Sequence, residues 1–312
     1  MAMTGGVIWA LGAGVLSGLI NAWAPFGGLG TLILGFLSMV PLFAVGLGLG
    51  VSSVGLAVAA GSVTVALVGI GGLTSGAIYA MVFGAPVVVL TRQALLNRSG
   101  PDGTEWYPTG LLLCWLAGIA GILALAMWFW VATGPRAVAV EAELAALFRD
   151  VGRASDGQAA EAARGVLRWL PGSGAAGWSL ILMTNAALAQ GLLQRFGRAI
   201  RPSPAMAGIQ VPQVVGLAFA VCAGLSVVAG AAGDMGRTLA IVLSVPLLVQ
   251  GLAVAHAFAA RTAAPGPLLA GLYIVLALVW WLAAPIVVVI GFLDLWLNFR
   301  ARFAPGGGSK GT

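Results

Sequence analysis

The polar side chains inside the apolar stretches of this chain are few, and they are the ones equipped for chemistry. Asn185 and Gln190 share one stretch, Gln250 and His256 another, and Asp294, Asn298 and Arg300 close a third. Polar groups left unpaired in hydrocarbon are costly, which makes such residues the default candidates for a site. Asn185, Gln190, Gln250 and His256 have the types needed to hydrogen bond a small polar molecule. His256, five residues before Arg261, reads equally as an interfacial histidine satisfied by the chain itself. Asp294 and Asn298 stand one helical turn apart, so with Arg300 or Arg302 they form an expected polar clasp, with ion coupling as the alternative.

Catalysis finds little footing, and no catalytic residue, metal site or cofactor is expected. There is no glycine-rich loop ending in Lys-Ser or Lys-Thr to cradle a nucleotide phosphate. One histidine and two remote cysteines, Cys114 and Cys222, cannot make a common zinc site and read as structural thiols. Glycines near Ser17 and Ser75 faintly suggest an intramembrane serine protease, and GAGVLSG at 12–18 a dinucleotide loop, but the protease spacing is wrong and no strand precedes the loop. A hidden enzyme would have to use Asp234, His256 or Asp294.

The elements that position these residues follow from composition. Of 312 residues, 60% are hydrophobic and 8% charged, with a mean hydropathy of +1.04, values that exclude soluble enzymes and collagen and fit a polytopic membrane protein. The net charge of +6 resides mostly in loops and segment ends, where it meets lipid headgroups, and implies no nucleic acid. A span takes about 20 helical residues, and nine stretches qualify: 5–24, 27–49, 51–70, 73–91, 109–132, 176–194, 211–232, 237–259 and 267–292. Continuous apolar runs without alternation require helix, giving an all-α transmembrane bundle. The small residues Ala22 and Ala24 around Trp23 mimic a cleavage site, yet no basic residue precedes the run and Pro25 follows it, so the first span is expected to be retained.

Pro41, Pro86, Pro246 and Pro285 fall inside spans, as ordinary kinks or, together with the glycine runs at 46–50 and 69–72, as openings for a cavity. Tryptophans at span ends, among them Trp9, Trp23, Trp130, Trp178 and Trp280, read as interfacial anchors. The polar segment 136–175 carries two short amphipathic patterns, expected as helices lying on the membrane surface or as a lid or docking element. The resulting organisation is a bundle over 1–135, an interfacial segment over 136–175, a second bundle over 176–303 and a flexible tail over 304–312. Orientation is contested: an internal N-terminus keeps Arg195, Arg198 and Arg201 inside but exports Arg300, Arg302 and Lys310, and reversal does the opposite. Losing one span after Arg201 would reconcile the two.

Gly6, Ala10, Gly14, Gly18 and Ala22 recur every four residues on the first span. Such a ridge admits another helix at close range, either a neighbouring span or a separate membrane subunit.

The stretches NAWAPFGG at 21–28, LLQRFGRAIRPSP at 192–204, PLLVQGLAVAHA at 246–257 and GFLDLWLNFRARF at 291–303 resemble the YybS-like family of bacterial membrane proteins, with Asp294, Trp296, Asn298 and Arg300 the most specific piece. That family is distantly similar to the substrate-binding subunits of energy-coupling-factor vitamin transporters, which dock a coupling subunit through small residues of their first helix. The resemblance implies a multi-pass protein of the bacterial inner (cytoplasmic) membrane. It further implies an unknown vitamin-like small molecule as ligand, and a partner subunit on Gly14, Gly18 and Ala22. Nine spans exceed the six of such subunits, and no vitamin-contacting residue carries over. The alternative is a membrane scaffold or regulator acting through the amphipathic segment, without transport.

Overall fold

A helix satisfies its own peptide groups, so an apolar run in lipid folds as one until something removes a bond. The computed structural model describes residues 2–24, 28–101, 103–132, 135–152 and 155–302. The all-α class holds. Helices α1 (Ala2–Trp23), α2 (Leu29–Phe36), α3 (Val40–Leu49), α4 (Val51–Val68), α5 (Leu73–Tyr79) and α6 (Ala85–Ala94) lead to a hairpin of β1 (Asn97–Gly100) and β2 (Gly103–Trp106). There follow α7 (Thr109–Ala132), α8 (Pro135–Gly152), α9 (Asp156–Arg195), α10 (Gln213–Leu225), α11 (Ala231–Ala259), α12 (Pro265–Leu278), α13 (Trp280–Leu297) and α14 (Phe299–Arg302). Among the described residues, seven helical elements are long and apolar enough to cross a membrane, and Ile33–Leu49, Gln213–Leu225 and Pro265–Leu278 are shorter apolar segments.

Four of the expected spans differ from the observed elements; the seventh, 211–232, is the shorter helix α10, which ends at Leu225, and its last residues already belong to α11. The second is broken: α2 ends at Phe36 and a turn over 37–39 precedes α3, which has a proline near its start. Pro41 has no N–H to return to Leu37, so the chain tightens there through three-residue bonds, Ser38 N–H to Gly35 O at 3.2 Å and Val40 N–H to Leu37 O at 3.1 Å. The expected 267–292 span is two helices that meet at Val279 (φ −128°, ψ 43°). The second amphipathic pattern is no separate short helix, because α9 runs 40 residues through Pro171 and carries that pattern into the sixth span. Pro86 sits at the start of α6 behind a π-helical turn, Ala80–Gly84, whose wider spacing accommodates the missing donor. Pro246 and Pro285 lie inside unbroken helices.

The chain forms two compact units, each discontinuous in sequence: Met1–Leu116 with Trp178–Pro204, and Ala117–Gly177 with Ala205–Thr312. The contiguous blocks drawn from the sequence follow chain order instead. In the first unit the small-residue ridge of α1 meets α4. A Cβ on Gly18 would stand 2.7 Å from Gly61 O, one on Gly14 would overlap the Ala57 carbonyl, and Ala10 is fully buried. Gly14 pairs with Ala57 and Gly18 with Gly61, so the two helices run parallel. Ser17 Oγ and Tyr79 Oη lock this contact at 2.6 Å. Tyr79→Phe leaves the Ser17 hydroxyl without its partner, and a loss of about 1 kcal/mol is expected, measured as a lower thermal midpoint in detergent.

In the second unit α11 is the central helix: 56% of its most apolar window is buried, against 28% for the α13 span. Gly251 and Gly291 interlock it with α13, where a Cβ on Gly251 would stand 2.8 Å from Val287 Cγ1 and one on Gly291 2.6 Å from Gly251 N. Outward faces stay apolar, with Trp9 68%, Leu67 80% and Val227 86% exposed, as contact with acyl chains requires.

Candidate binding site

The turn over 37–39 releases a carbonyl from its helix, and α9 supplies the side chain that takes it. Asn185 Nδ2 donates to Phe36 O at 2.6 Å and to Ile181 O at 2.8 Å. Both amide protons are thereby spent and the orientation of the amide is set. Its oxygen, on a residue only 1% exposed, has no hydrogen-bond partner, and neither does the buried indole Nε1 of Trp178. Trp178 and Asn185 are seven residues apart, two turns along one face of α9, about 10 Å by helical rise. Ser38 and Met39 of the turn are buried, and Leu42, Phe43, Leu182 and Ala189 make the surroundings apolar. Thr91 Oγ1, in the same unit, is a third buried atom lacking a partner. One acceptor and one donor thus stay without a partner in an apolar interior, where such groups call for a specific explanation.

The other expected ligand residues are engaged by the chain. Gln190 Nε2 donates to Arg201 O at 2.6 Å, while the Arg201 guanidinium reaches Ala94 O at 3.0 Å and Thr109 Oγ1 at 3.3 Å. Burial lowers the pKa of Arg201, but a guanidinium stays protonated, so this knot holds a cation that ties the end of α6 to the start of α7. Gln250 and His256 belong to the second unit. Gln250 Oε1 accepts Val211 N–H at 2.9 Å, its Nε2 donates to Asp294 Oδ2 at 2.7 Å, and His256 Nδ1 lies 2.9 Å from Leu252 O with its ring edge-on to Tyr273.

At the C-terminal end of α13, Arg300 Nε donates to Asp294 Oδ2 at 3.1 Å and its Nη1 to Ala207 O and Ile209 O at 3.0 and 2.7 Å. Asn298 contributes through its backbone rather than through its amide: it caps α13 in the left-handed conformation, φ 44°, its N–H returning to Asp294 O. The network pins the 206–211 segment against α11 and α13. Arg302 is placed only as a backbone position, and Pro25, Phe26, Gly27, Lys310 and the 304–312 tail lie outside the described residues.

Two features were not singled out from the sequence. Trp178, assigned there to the interfacial belt, is half-buried with its N–H turned inward, and no spacing distinguishes it from Trp169, which is exposed. The amphipathic part of α9 is braced to α11: Arg168 and Arg237 share Asp234 at 3.4 and 2.7 Å, and the Arg237 guanidinium lies 5.4 Å over the Trp169 ring. A salt bridge between Arg164 and Glu141 joins it to α8.

Apolar helices of spanning length and lipid-compatible outer faces define a multi-pass α-helical membrane protein. The chain belongs to the DUF2232 family of predicted membrane proteins, whose model matches residues 15–295. No curated protein and no solved structure matches it.

Proposed function

We propose that this chain is a non-enzymatic protein of the bacterial inner membrane that binds a small polar molecule at the broken second span. In this reading it serves as the capture subunit of a multi-protein transporter. The observation that carries the proposal is the unpartnered Asn185 Oδ1 beside the α2–α3 break. Interrupted helices with a polar group at the gap are how transporter sites are built in lipid. A coupling subunit cannot use Gly14 and Gly18, which α4 already covers; the face of α1 left for it carries Ile8, Trp9, Val15 and Leu19, all exposed.

The test is thermal stabilisation of purified protein across a panel of water-soluble vitamins and precursors, with Asn185→Leu beside the wild type. A ligand at 100 times its Kd adds about 2.7 kcal/mol, read as a raised midpoint. Asn185→Leu is expected to weaken that ligand at least about tenfold, the equivalent of 1.4 kcal/mol. No shift with any compound, together with purification from the native membrane free of a coupling subunit or ATPase, overturns the reading. The scaffold alternative draws on the Asp234 brace, which holds the amphipathic part of α9 in place; it gains if a membrane partner is lost on deleting 136–175 while ligand retention survives.

A further inference from the structure

The brace between α9 and α11, within the second unit, carries one cation more than its acid can answer. Arg168 and Arg237 meet the same oxygen of Asp234, Oδ1, at 3.4 and 2.7 Å. One carboxylate thus serves two guanidiniums, and a positive charge is left over. Glu141 is taken by Arg164 at 3.5 Å. Glu161 stands two turns before Arg168 on α9, about 10 Å away by helical rise, a distance at which salt screens exposed charges. The start of α11, a helix of 29 residues opening after Gly230 (φ 81°), adds the partial positive charge of its N-terminus.

The two arginines are held differently. Arg237 is fixed: its side chain is 9% exposed, Nη1 donates to Asp234, Nη2 donates to Ser226 O at 3.2 Å, and the guanidinium lies over the Trp169 ring. Arg168 is 55% exposed and touches Asp234 only at the longer distance, which leaves most of its five N–H donors for a ligand. The level of the cluster follows from α11. Residues 238–259 contain no Asp, Glu, Lys or Arg and measure about 33 Å of helix, enough to cross a hydrocarbon core of about 30 Å. Arg237 therefore marks the edge of that core, where the exposed Trp169 ring beside it has the place of an interfacial indole.

From this uncompensated pair at the membrane edge we infer that Arg168, Arg237 and Trp169 form a headgroup site for an anionic phospholipid. The phosphate diester accepts hydrogen bonds from the Arg168 guanidinium, and Arg237, immobilised by Asp234, Ser226 and Trp169, stands behind it as a fixed charge. Charge-assisted bonds from a guanidinium to phosphate are the strong class of hydrogen bond. The surplus positive charge sets the selectivity: a zwitterionic lipid brings its own cation to the site and gains less than an anionic one.

The experiment is native mass spectrometry of the purified full-length protein in detergent micelles holding equal amounts of phosphatidylglycerol and phosphatidylcholine with the same acyl chains. The wild type is expected to retain phosphatidylglycerol in preference. Arg168→Gln, which leaves the Asp234, Ser226 and Trp169 contacts of Arg237 in place, is expected to retain about fivefold less, the factor that one cationic side chain is worth near an anionic surface. Arg168→Lys keeps the charge and restores most of the retention. Arg98→Gln, which removes an exposed arginine of the first unit, leaves it unchanged. The thermal midpoint of the wild type, which needs no substitution, is expected to rise with phosphatidylglycerol and with neither phosphatidylcholine nor inorganic phosphate at the same concentration. Equal retention of the two lipids overturns the site, as does wild-type retention in Arg168→Gln or an equal loss in Arg98→Gln. Stabilisation by inorganic phosphate as large as by phosphatidylglycerol overturns the assignment to lipid.

Discussion

Gly291→Ala is expected to pull α13 away from α11 and to lower the thermal midpoint strongly. The added Cβ meets the carbonyl of Leu247 and, at 2.6 Å, the Gly251 nitrogen. Both are backbone atoms that no rotamer can move aside. Overpacking of this kind costs about 1–3 kcal/mol, and more where the backbone must separate. Gly251→Ala presses on the Val287 carbonyl across the same crossing, so the double variant is expected to cost less than the two singles together, one separation relieving both overlaps. Gly224→Ala is the control: nothing lies within 4 Å of its would-be Cβ, and exchanging a helical glycine for alanine stabilises by roughly 0.5–1 kcal/mol. Melting curves in one detergent check the set, and a Gly291→Ala protein as stable as the wild type refutes the close crossing.

Asp294→Leu carries the second large effect. The carboxylate is buried, with its side chain 0% and that of Arg300 11% exposed, and it also receives Gln250 Nε2. Removing it strands a guanidinium and an amide together, and breaking a buried pair from one side costs about 3–5 kcal/mol. Asp294→Asn, which keeps an acceptor for Gln250 and removes the charge, is expected to cost less. Arg300→Leu frees the carbonyls of Ala207 and Ile209 and unpins the segment before α10, exposing 205–212 to limited proteolysis. In a double-mutant cycle, Asp294→Leu with Arg300→Leu is expected to melt well above the sum of the single losses; strict additivity would mean that the two side chains do not interact.

The spans were legible because hydrocarbon leaves an apolar segment a single local solution. Their interruptions were not. Pro41 is visible in the sequence, yet a proline in a span reads equally as a kink or a break. Which one forms depends on whether another group takes the released carbonyl, and Asn185 does so from 149 positions away. The same limit applied to the candidate site. Asn185, Gln190, Gln250 and His256 are alike in composition terms as amides and an imidazole in lipid, and only packing shows that Asn185 keeps an open acceptor while Gln190 and Gln250 are spent within the chain.

Residue type and spacing by themselves determined that this chain is a multi-pass helical membrane protein, that α1 carries an edge fit for close approach, and that Asp294 and Arg300 lie within reach of each other. Those are properties of a segment a few turns long, governed by transfer free energy and helical period. The tertiary structure decided what meets that edge, namely α4 of the same chain, where the second and ninth apolar stretches break, and which buried polar atoms stay unpaired. These outcomes depend on which backbone and side-chain groups from distant positions arrive to satisfy one another, and a hydrogen bond across a hundred residues leaves no period in the sequence.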